Sequence, residues 1–274
     1  MKLHRATNGL FLENQGQWSR LSVDSIDAVF SATDLPALLA RAERLSAPPF
    51  FTPLAPLGAQ EVWAAGVTYF RSRNARIEES KQAGGGDFYQ RVYEADRPEL
   101  FFKATPQRTV GPRQQVRIRA DAKWNVPEPE LTLAVNRAGK IFGYTIGNDM
   151  SSRDIEAENP LYLPQAKVYQ GCAAIGPSIL LSDAPLPPET TIELKISRAS
   201  AVAFTGETRI DQIKRSLPSL VEYLFRDQEF PHGCLLMTGT GIVPPDSFTL
   251  QPGDEISIRI APIGELVTTV ASLK

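Results

Sequence analysis

The turn signal Asn136-Arg137-Ala138-Gly139 stands between two β-rich runs, 130–135 and 141–146, and it constrains this chain more than any other feature. Two extended runs joined by a short polar turn close as an antiparallel hairpin, and a hairpin fixes which side chains face each other. Glu128 and Glu130 sit two apart at the head of the first run, so on a strand they share a face with their carboxylates carried roughly 7 Å apart at the backbone. If the turn centres near Ala138, Glu128 falls opposite Asn148 and Asp149 lies one residue beyond. Three carboxylates then gather at the open end of the hairpin. Alternating charge is also what a solvated strand face looks like. The third acid argues for a site, because like charges so close raise one another's pKa unless a hard cation takes their oxygens. With no histidine or cysteine nearby in sequence, the all-oxygen set points to Mg²⁺, with Mn²⁺ or Ca²⁺ as alternatives.

Beyond the hairpin, the runs 174–181, 191–197, 201–205, 235–238, 256–260 and 266–270 are β-rich and separated by Gly, Pro and Asp. Many short strands with few helices predict an α+β, β-dominated fold, a mixed β-roll or sandwich rather than an alternating α/β one. One amphipathic helix, about 217–226, interrupts them. Upstream, 1–33 reads as short strands and turns, and Asp34 with Pro36 starts a helix expected over 35–45. The proline-rich stretch 47–56 is linker-like, so a boundary near 57 separates a small N-terminal α/β domain, 1–57, from a larger one, 58–274. A buried strand is expected over 61–67, then a helix over 69–82 ending at Gly84-Gly85-Gly86. Those glycines suit a joint, with 69–97 as a lid segment. Another strand is expected over 116–119.

Charge and cysteine usage remove several function classes. Basic residues number 29 and acidic ones 31, for a net charge of −2, so nothing here resembles the basic footprint of a nucleic-acid or membrane-surface binder. Cys172 and Cys234 lie in unrelated contexts and read as structural thiols of a reducing compartment. No run approaches the roughly 20 apolar residues that cross a bilayer, and the first residues form no continuous apolar leader. A soluble, cytoplasmic protein is expected. His4 and His232 read as surface residues. Thr238-Gly-Thr-Gly-Ile242 lacks dinucleotide and phosphate-loop spacing. It is either a tight turn or a place where backbone N–H groups and Thr240 meet a substrate carboxylate.

Other residues stand in unusual places. Glu99 opens an apolar run, which suits a functional acid or an exposed strand edge. Ser151-Ser152-Arg153-Asp154-Ile155-Glu156 offers capping hydroxyls ahead of acids, a short helical turn with Glu156 available to the site. Lys167 falls in a polar loop, where lysines are ordinarily solvated. Arg71, Arg73 and Arg76 lie along the helix after the first buried strand, able to meet an anionic substrate or to pair with Glu78 and Glu79. Arg71 is the candidate we single out.

Taken in order, Glu128-x-Glu130, GYTIGND, SSRDIE and a lysine just before a G-x-x-x-x-G-P run resemble the fumarylacetoacetate hydrolase superfamily over about 58–260. WNVPEPEL and SSRDIEAENPLYLPQAKVY look most like its branch that dehydrates 2-keto-3-deoxypentonates. The resemblance implies a metal held by Glu128, Glu130 and Asp149, Lys167 beside the substrate, a catalytic Glu99, and a homo-oligomer, dimer or tetramer. The activity it implies is loss of water from a small 2-keto acid such as 2-keto-3-deoxy-D-arabinonate, giving 2,5-dioxopentanoate in non-phosphorylative pentose catabolism. Glu99 would move the C3 proton, Lys167 would orient the enolate, and Glu99 or Glu156 would carry the later proton shift. The alternatives are C–C hydrolysis of an acylpyruvate, a Schiff base on Lys167, and a non-catalytic binding homologue. Hydrolytic relatives place a histidine soon after an Asn-Tyr-like motif, where this chain has Thr68-Tyr69-Phe70-Arg71-Ser72-Arg73. That departure favours elimination over hydrolysis.

Overall fold

The computed structural model describes residues 1–79 and 86–272. The chain starts with three antiparallel strands, β1 (Lys2–Ala6), β2 (Gly9–Asn14) and β3 (Gln17–Leu21), then short helices α1 (Asp27–Phe30) and α2 (Leu35–Leu39) and an edge strand β4 (Glu43–Arg44). Next come β5 (Glu61–Gly66), α3 (Phe70–Glu79), α4 (Gly86–Glu94), β6 (Glu99–Ala104), β7 (Thr109–Val110), β8 (Gln115–Val116) and β9 (Asn125–Val126). The hairpin is β10 (Pro129–Val135) and β11 (Ile141–Asp149), followed by β12 (Ser151–Ser152), α5 (Arg153–Glu158), α6 (Leu163–Lys167) and β13 (Ala173–Leu181). The remainder is β14 (Thr191–Arg198), β15 (Ala201–Arg209), α7 (Leu217–Phe225), β16 (Cys234–Met237), β17 (Glu255–Ile260) and β18 (Gly264–Val270).

These strands build two principal sheets. The larger runs β4-β3-β2-β1-β13-β11-β10-β16-β5-β6, with β7 added alongside β13, and the smaller runs β15-β14-β17-β18-β8. A short pair, β9 with β12, bridges the start of the hairpin to the turn after it. The β-dominated α+β architecture expected from the spacing of the runs is what forms. Strands before residue 57 extend the same large sheet through β1 against β13.

The hairpin sits centrally in the large sheet and is buried on both faces, which explains its continuous apolar run. Leu131, Leu133 and Ile146 pack with Ile192, Leu194, Ile256 and Ile258 of the smaller sheet. On the other face Ala134, Phe142, Ile175 and Leu235 join Leu3, Leu10 and Phe30 in a second apolar cluster. Each such side chain contributes roughly 1.5–3 kcal/mol when fully buried, so the hairpin is clamped from both sides and its open end is held rigidly.

Several local expectations are corrected. The helix expected over 35–45 ends at Leu39. Asp34 caps it through the Ala37 amide as its sequence position suggested. Beyond it, Glu43 and Arg44 pair with Arg20 and Ser19 at the sheet edge, and those ladder bonds outweigh helical propensity. The strand expected over 116–119 is confined to Gln115–Val116, because the Arg117 amide turns away to donate to the Gly171 carbonyl. The helix expected over 69–82 forms as α3 over Phe70–Glu79, and its residues 80–82 lie outside the described residues. Gly84 and Gly85 of the supposed joint lie outside the described residues, and Gly86 begins α4. His4 is half-buried against Trp18 and Phe51 rather than on the surface, and it shares a hydrogen bond with Glu13. No helix among the described residues is long and apolar enough to cross a membrane.

Candidate active site

The hairpin's register decides what its open end presents. Val135 pairs with Ile141, but Ala134 pairs with Gly143, so Phe142 is an extra residue and the register advances by one towards the open end. This β-bulge corrects the pairing read from the turn alone: Glu128 is opposite Asp149, not Asn148. Their amides and carbonyls exchange both backbone hydrogen bonds, 2.9 and 3.2 Å. The consequence is large, because cross-strand partners share a face and a one-residue slip turns every side chain over. Without the bulge, Asn148 would face Glu128 and Asp149 would point to the opposite side of the sheet. With it, Glu128, Glu130 and Asp149 are buried together, each offering an oxygen within 4.8 Å of the others.

Three basic side chains surround this acid set. Lys167 Nζ donates to Glu128 Oε2 at 2.8 Å, to Asp149 Oδ2 at 2.9 Å and to Ser151 Oγ at 2.6 Å. It is therefore not a solvated loop lysine. It ends α6, with only 2 % of its surface exposed, because Pro164 starts a helical turn that aims its last residue inward. Arg153, also buried, donates through Nε and Nη2 to Glu128 Oε1 at 3.1 and 2.7 Å. Lys103 Nζ lies behind the cluster, 2.6 Å from Asp149 Oδ1. The hydroxyls expected to cap α5 do other work. Ser152 Oγ donates to Asn125 Oδ1, Ser151 Oγ donates to the Asp149 carbonyl, and the helix starts without a side-chain cap.

A cleft opens over the acids, with about 380 Å³ of space counting that continuous with solvent. Glu128, Glu130, Asp149, Glu99, Glu156, Lys167 and Thr240 all line it. Glu99 reaches it from the start of β6, and its cross-strand partner is Gly66. A Cβ at Gly66 would overlap the Glu99 carboxylate, so that glycine is the space the acid occupies. Next in the chain, Val67 lines the cleft at φ +52°, a backbone conformation that β-branched residues avoid and that costs of order 1–3 kcal/mol to hold. The Gly239 amide donates to Glu130 Oε2 at 2.5 Å, which gives the glycine-rich turn a definite place at the site. Arg71 is not brought in: its exposed guanidinium donates to the Val243 carbonyl at 3.3 Å, while Ser72 faces the cleft.

Glu130 carries the electrostatic signature of the site. Burial first, and then the nearby Asp149 and Glu128, hold its carboxyl well above the usual carboxylate range, against the opposing pull of the Gly239 amide and Lys167. A hard divalent cation fits this donor set. The three oxygens belong to carboxylates, they converge, and the anion least favoured by its surroundings is the one that added positive charge would relieve. Sequence reading missed Lys103 and Arg153. Lys103 had a signal, since a lysine that closes an apolar run four residues after Glu99 is an unusual residue for a buried strand.

The chain is similar to several proteins of known name. A probable 2-keto-3-deoxyxylonate dehydratase of Haloferax volcanii is 48 % identical over 219 residues, 80 % of this chain and 74 % of that protein. A 2-dehydro-3-deoxy-D-arabinonate dehydratase of Saccharolobus solfataricus is 45 % identical over 217 residues, 78 % and 73 % of the two chains. A solved structure of 2-keto-3-deoxy-D-arabinonate dehydratase, complexed with magnesium and 2,5-dioxopentanoate, superposes at TM-score 0.86 with 35 % identity and full coverage of both chains. The model of the fumarylacetoacetate (FAA) hydrolase C-terminal domain matches residues 62–271. That span includes the bulged hairpin, Glu99 and Lys167 together, and the chain belongs to the fumarylacetoacetate hydrolase family.

Proposed function

We propose that this protein is a metal-dependent hydro-lyase that removes water from a 2-keto-3-deoxypentonate, such as 2-keto-3-deoxy-D-arabinonate, to give 2,5-dioxopentanoate. The observation that carries the reading is the buried convergence of Glu128, Glu130 and Asp149 beside Lys167, in a cleft that also holds two further carboxylates, Glu99 and Glu156. It is supported by relatives at 45–48 % identity that are named as dehydratases of such acids. Glu128, Glu130 and Asp149 would hold Mg²⁺, or Mn²⁺ in its place. Bound there, the cation supplies Lewis acidity towards the carboxylate and C2 carbonyl of a 2-keto acid.

The chain's own groups then divide the proton work. Glu99 takes the proton from C3 as the C3–H bond breaks, and the C4–O bond breaks with the hydroxyl leaving as water after Glu99 or Glu156 gives it a proton. Lys167 places its ammonium beside the enolate formed at C2 and orients it. The product requires a proton to move from C5 to C3 and the resulting enol to gain a proton at C4 as its hydroxyl proton leaves and the C5 aldehyde forms, and Glu99 or Glu156 carries these transfers. Thr240 and the Gly239 turn line the cleft, and the described residues of the 69–97 segment act as a lid, since Ser72 and Tyr89 reach the cleft from α3 and α4. The chemistry belongs to 58–274, because every lining residue falls there. Assembly as a homo-oligomer in a reducing cytoplasm completes the proposal, the latter in keeping with two free, buried cysteines.

Hydrolysis of an acylpyruvate is the less favoured reading, because no histidine is among the described residues that line the cleft and a water nucleophile needs a base to activate it. The test is incubation of purified protein and Mg²⁺ with each enantiomer of 2-keto-3-deoxypentonate and with an acylpyruvate, products followed by mass spectrometry, with a chelated control. Loss of one water from one enantiomer, abolished by chelator, is expected. Cleavage of the acylpyruvate into two acids would replace this reading with hydrolysis.

A further inference from the structure

Lys103 is wholly buried at the inner end of β6, and the reaction outlined above gives it no task. Its ammonium donates to the Met150 carbonyl at 2.9 Å and to the Lys167 carbonyl at 2.5 Å, and it stands 2.6 Å from Asp149 Oδ1 in an ion pair. That carboxylate oxygen receives no hydrogen bond, so the Lys103 charge is what compensates it in an interior where an uncompensated anion is costly. The other oxygen of Asp149 faces Lys167. A lysine ammonium has three N–H groups and no acceptor, and here all of its polar surroundings belong to elements that carry site residues. These are the residue after Asp149 on β11, the end of α6 that delivers Lys167, and Asp149 itself. Four residues earlier on the same strand stands Glu99.

We propose that Lys103 is a positioning residue for the metal centre, tying one oxygen of Asp149 and the carbonyl end of α6 to β6 so that Asp149, Lys167 and Glu99 keep one fixed relation. The inference rests on the reading of Glu128, Glu130 and Asp149 as a cation site, and adds to it a residue that touches neither cation nor substrate. Groups that orient metal ligands from behind typically set metal affinity by about 10–100-fold. A lysine that merely fastened strands together would set stability alone.

The experiment is Mg²⁺ titration calorimetry on wild type and Lys103→Met, with melting curves of the metal-free proteins alongside. The expected result is a Kd for Mg²⁺ weakened about 10–100-fold in folded Lys103→Met, with dehydration partly restored by raising Mg²⁺. A lowered melting temperature with an unchanged Kd overturns the proposal, as does a wild type that takes up neither Mg²⁺ nor Mn²⁺. Should Lys103→Met not fold, wild type labelled with ¹⁵N at lysine decides instead. The solvent-protected Nζ resonance that survives in Lys167→Met is expected to shift on adding Mg²⁺, and one that stays in place overturns the inference. Because the readout is affinity and not turnover, a protein that binds Mg²⁺ yet dehydrates nothing would sink the proposed activity and leave this inference standing.

Discussion

Asp149 and Asp254 are both buried carboxylates facing basic side chains, and they answer burial in opposite ways. Asp254 accepts from Arg198 Nε and Nη2, each at 2.8 Å, and from the Gln251 amide at 2.9 Å, while the same guanidinium donates to the Thr249 carbonyl. One acid meets one base and the pair closes, fixing the turn that leads into β17. At the cleft, Glu99, Glu128, Glu130, Asp149 and Glu156 gather, and Lys103, Arg153 and Lys167 pair with Glu128 and Asp149 among them. Acid crowds acid in this buried cluster, and Glu130 registers burial and the nearby Asp149 and Glu128 as a carboxyl that resists ionising. A closed ion pair is architecture; a buried cluster in which carboxylates crowd one another is a place for a counter-charge to arrive.

The strongest way to break this contrast is to thin the acid cluster. Glu130→Gln is expected to abolish Mg²⁺ uptake and to lower dehydration by roughly a thousandfold, the equivalent of about 4 kcal/mol. Calorimetry with turnover assays checks both, and retained Mg²⁺ affinity would mean that the acid cluster has another purpose. Glu99→Gln comes next: a loss of about a hundredfold or more in turnover with Mg²⁺ affinity intact, whereas near-wild-type turnover would remove Glu99 from the mechanism. Gly66→Ala probes the same acid without changing its charge. The added Cβ must push the end of the flexible Glu99 side chain aside, so turnover is expected to fall by about tenfold at an unaltered melting temperature. At the closed pair, Asp254→Asn should do the reverse and cost about 2 kcal/mol of stability, trimmed by the partial exposure of Arg198, with Mg²⁺ affinity unchanged.

The smallest effect concerns a third arrangement, the half-open pair of His4 and Glu13. Burial lowers the His4 pKa below its ordinary 6.5, against the opposing pull of Glu13. A group less basic folded than unfolded contributes stability that is complete above the unfolded value and is lost as pH falls through the folded one. Denaturant unfolding on either side of pH 6.5 should therefore show a shallow loss on the acid side, below about 1 kcal/mol. His4→Phe should flatten that slope, and an unchanged slope would assign it to the carboxylates instead.

Much of this was legible in the chain. The β-dominated architecture followed from the spacing of Gly, Pro and Asp between apolar runs, and the hairpin followed from Asn136 to Gly139. That Glu128, Glu130 and Asp149 all lie at the hairpin's open end could be anticipated because strand pairing is a short-range rule, but that they share one face could not, because the bulge sets it. Helix 35–45 was overestimated because residues 43 and 44 find a sheet edge that no local pattern announces.

What the sequence by itself determined is the set of elements and the carriers of charge, since periodicity and turn chemistry act over a few residues. Tertiary structure alone decided which way the charges point. The extra residue at Phe142 turns Asp149, not Asn148, towards Glu128. Lys167 moves from an apparent loop into the acid cluster because α6 packs there, and Lys103 reaches Asp149 across 46 residues of chain, as Lys103 and Asp149 are numbered. Bulges and long-range ion pairs depend on how two sheets pack around one hairpin, and that packing is a property of the whole chain.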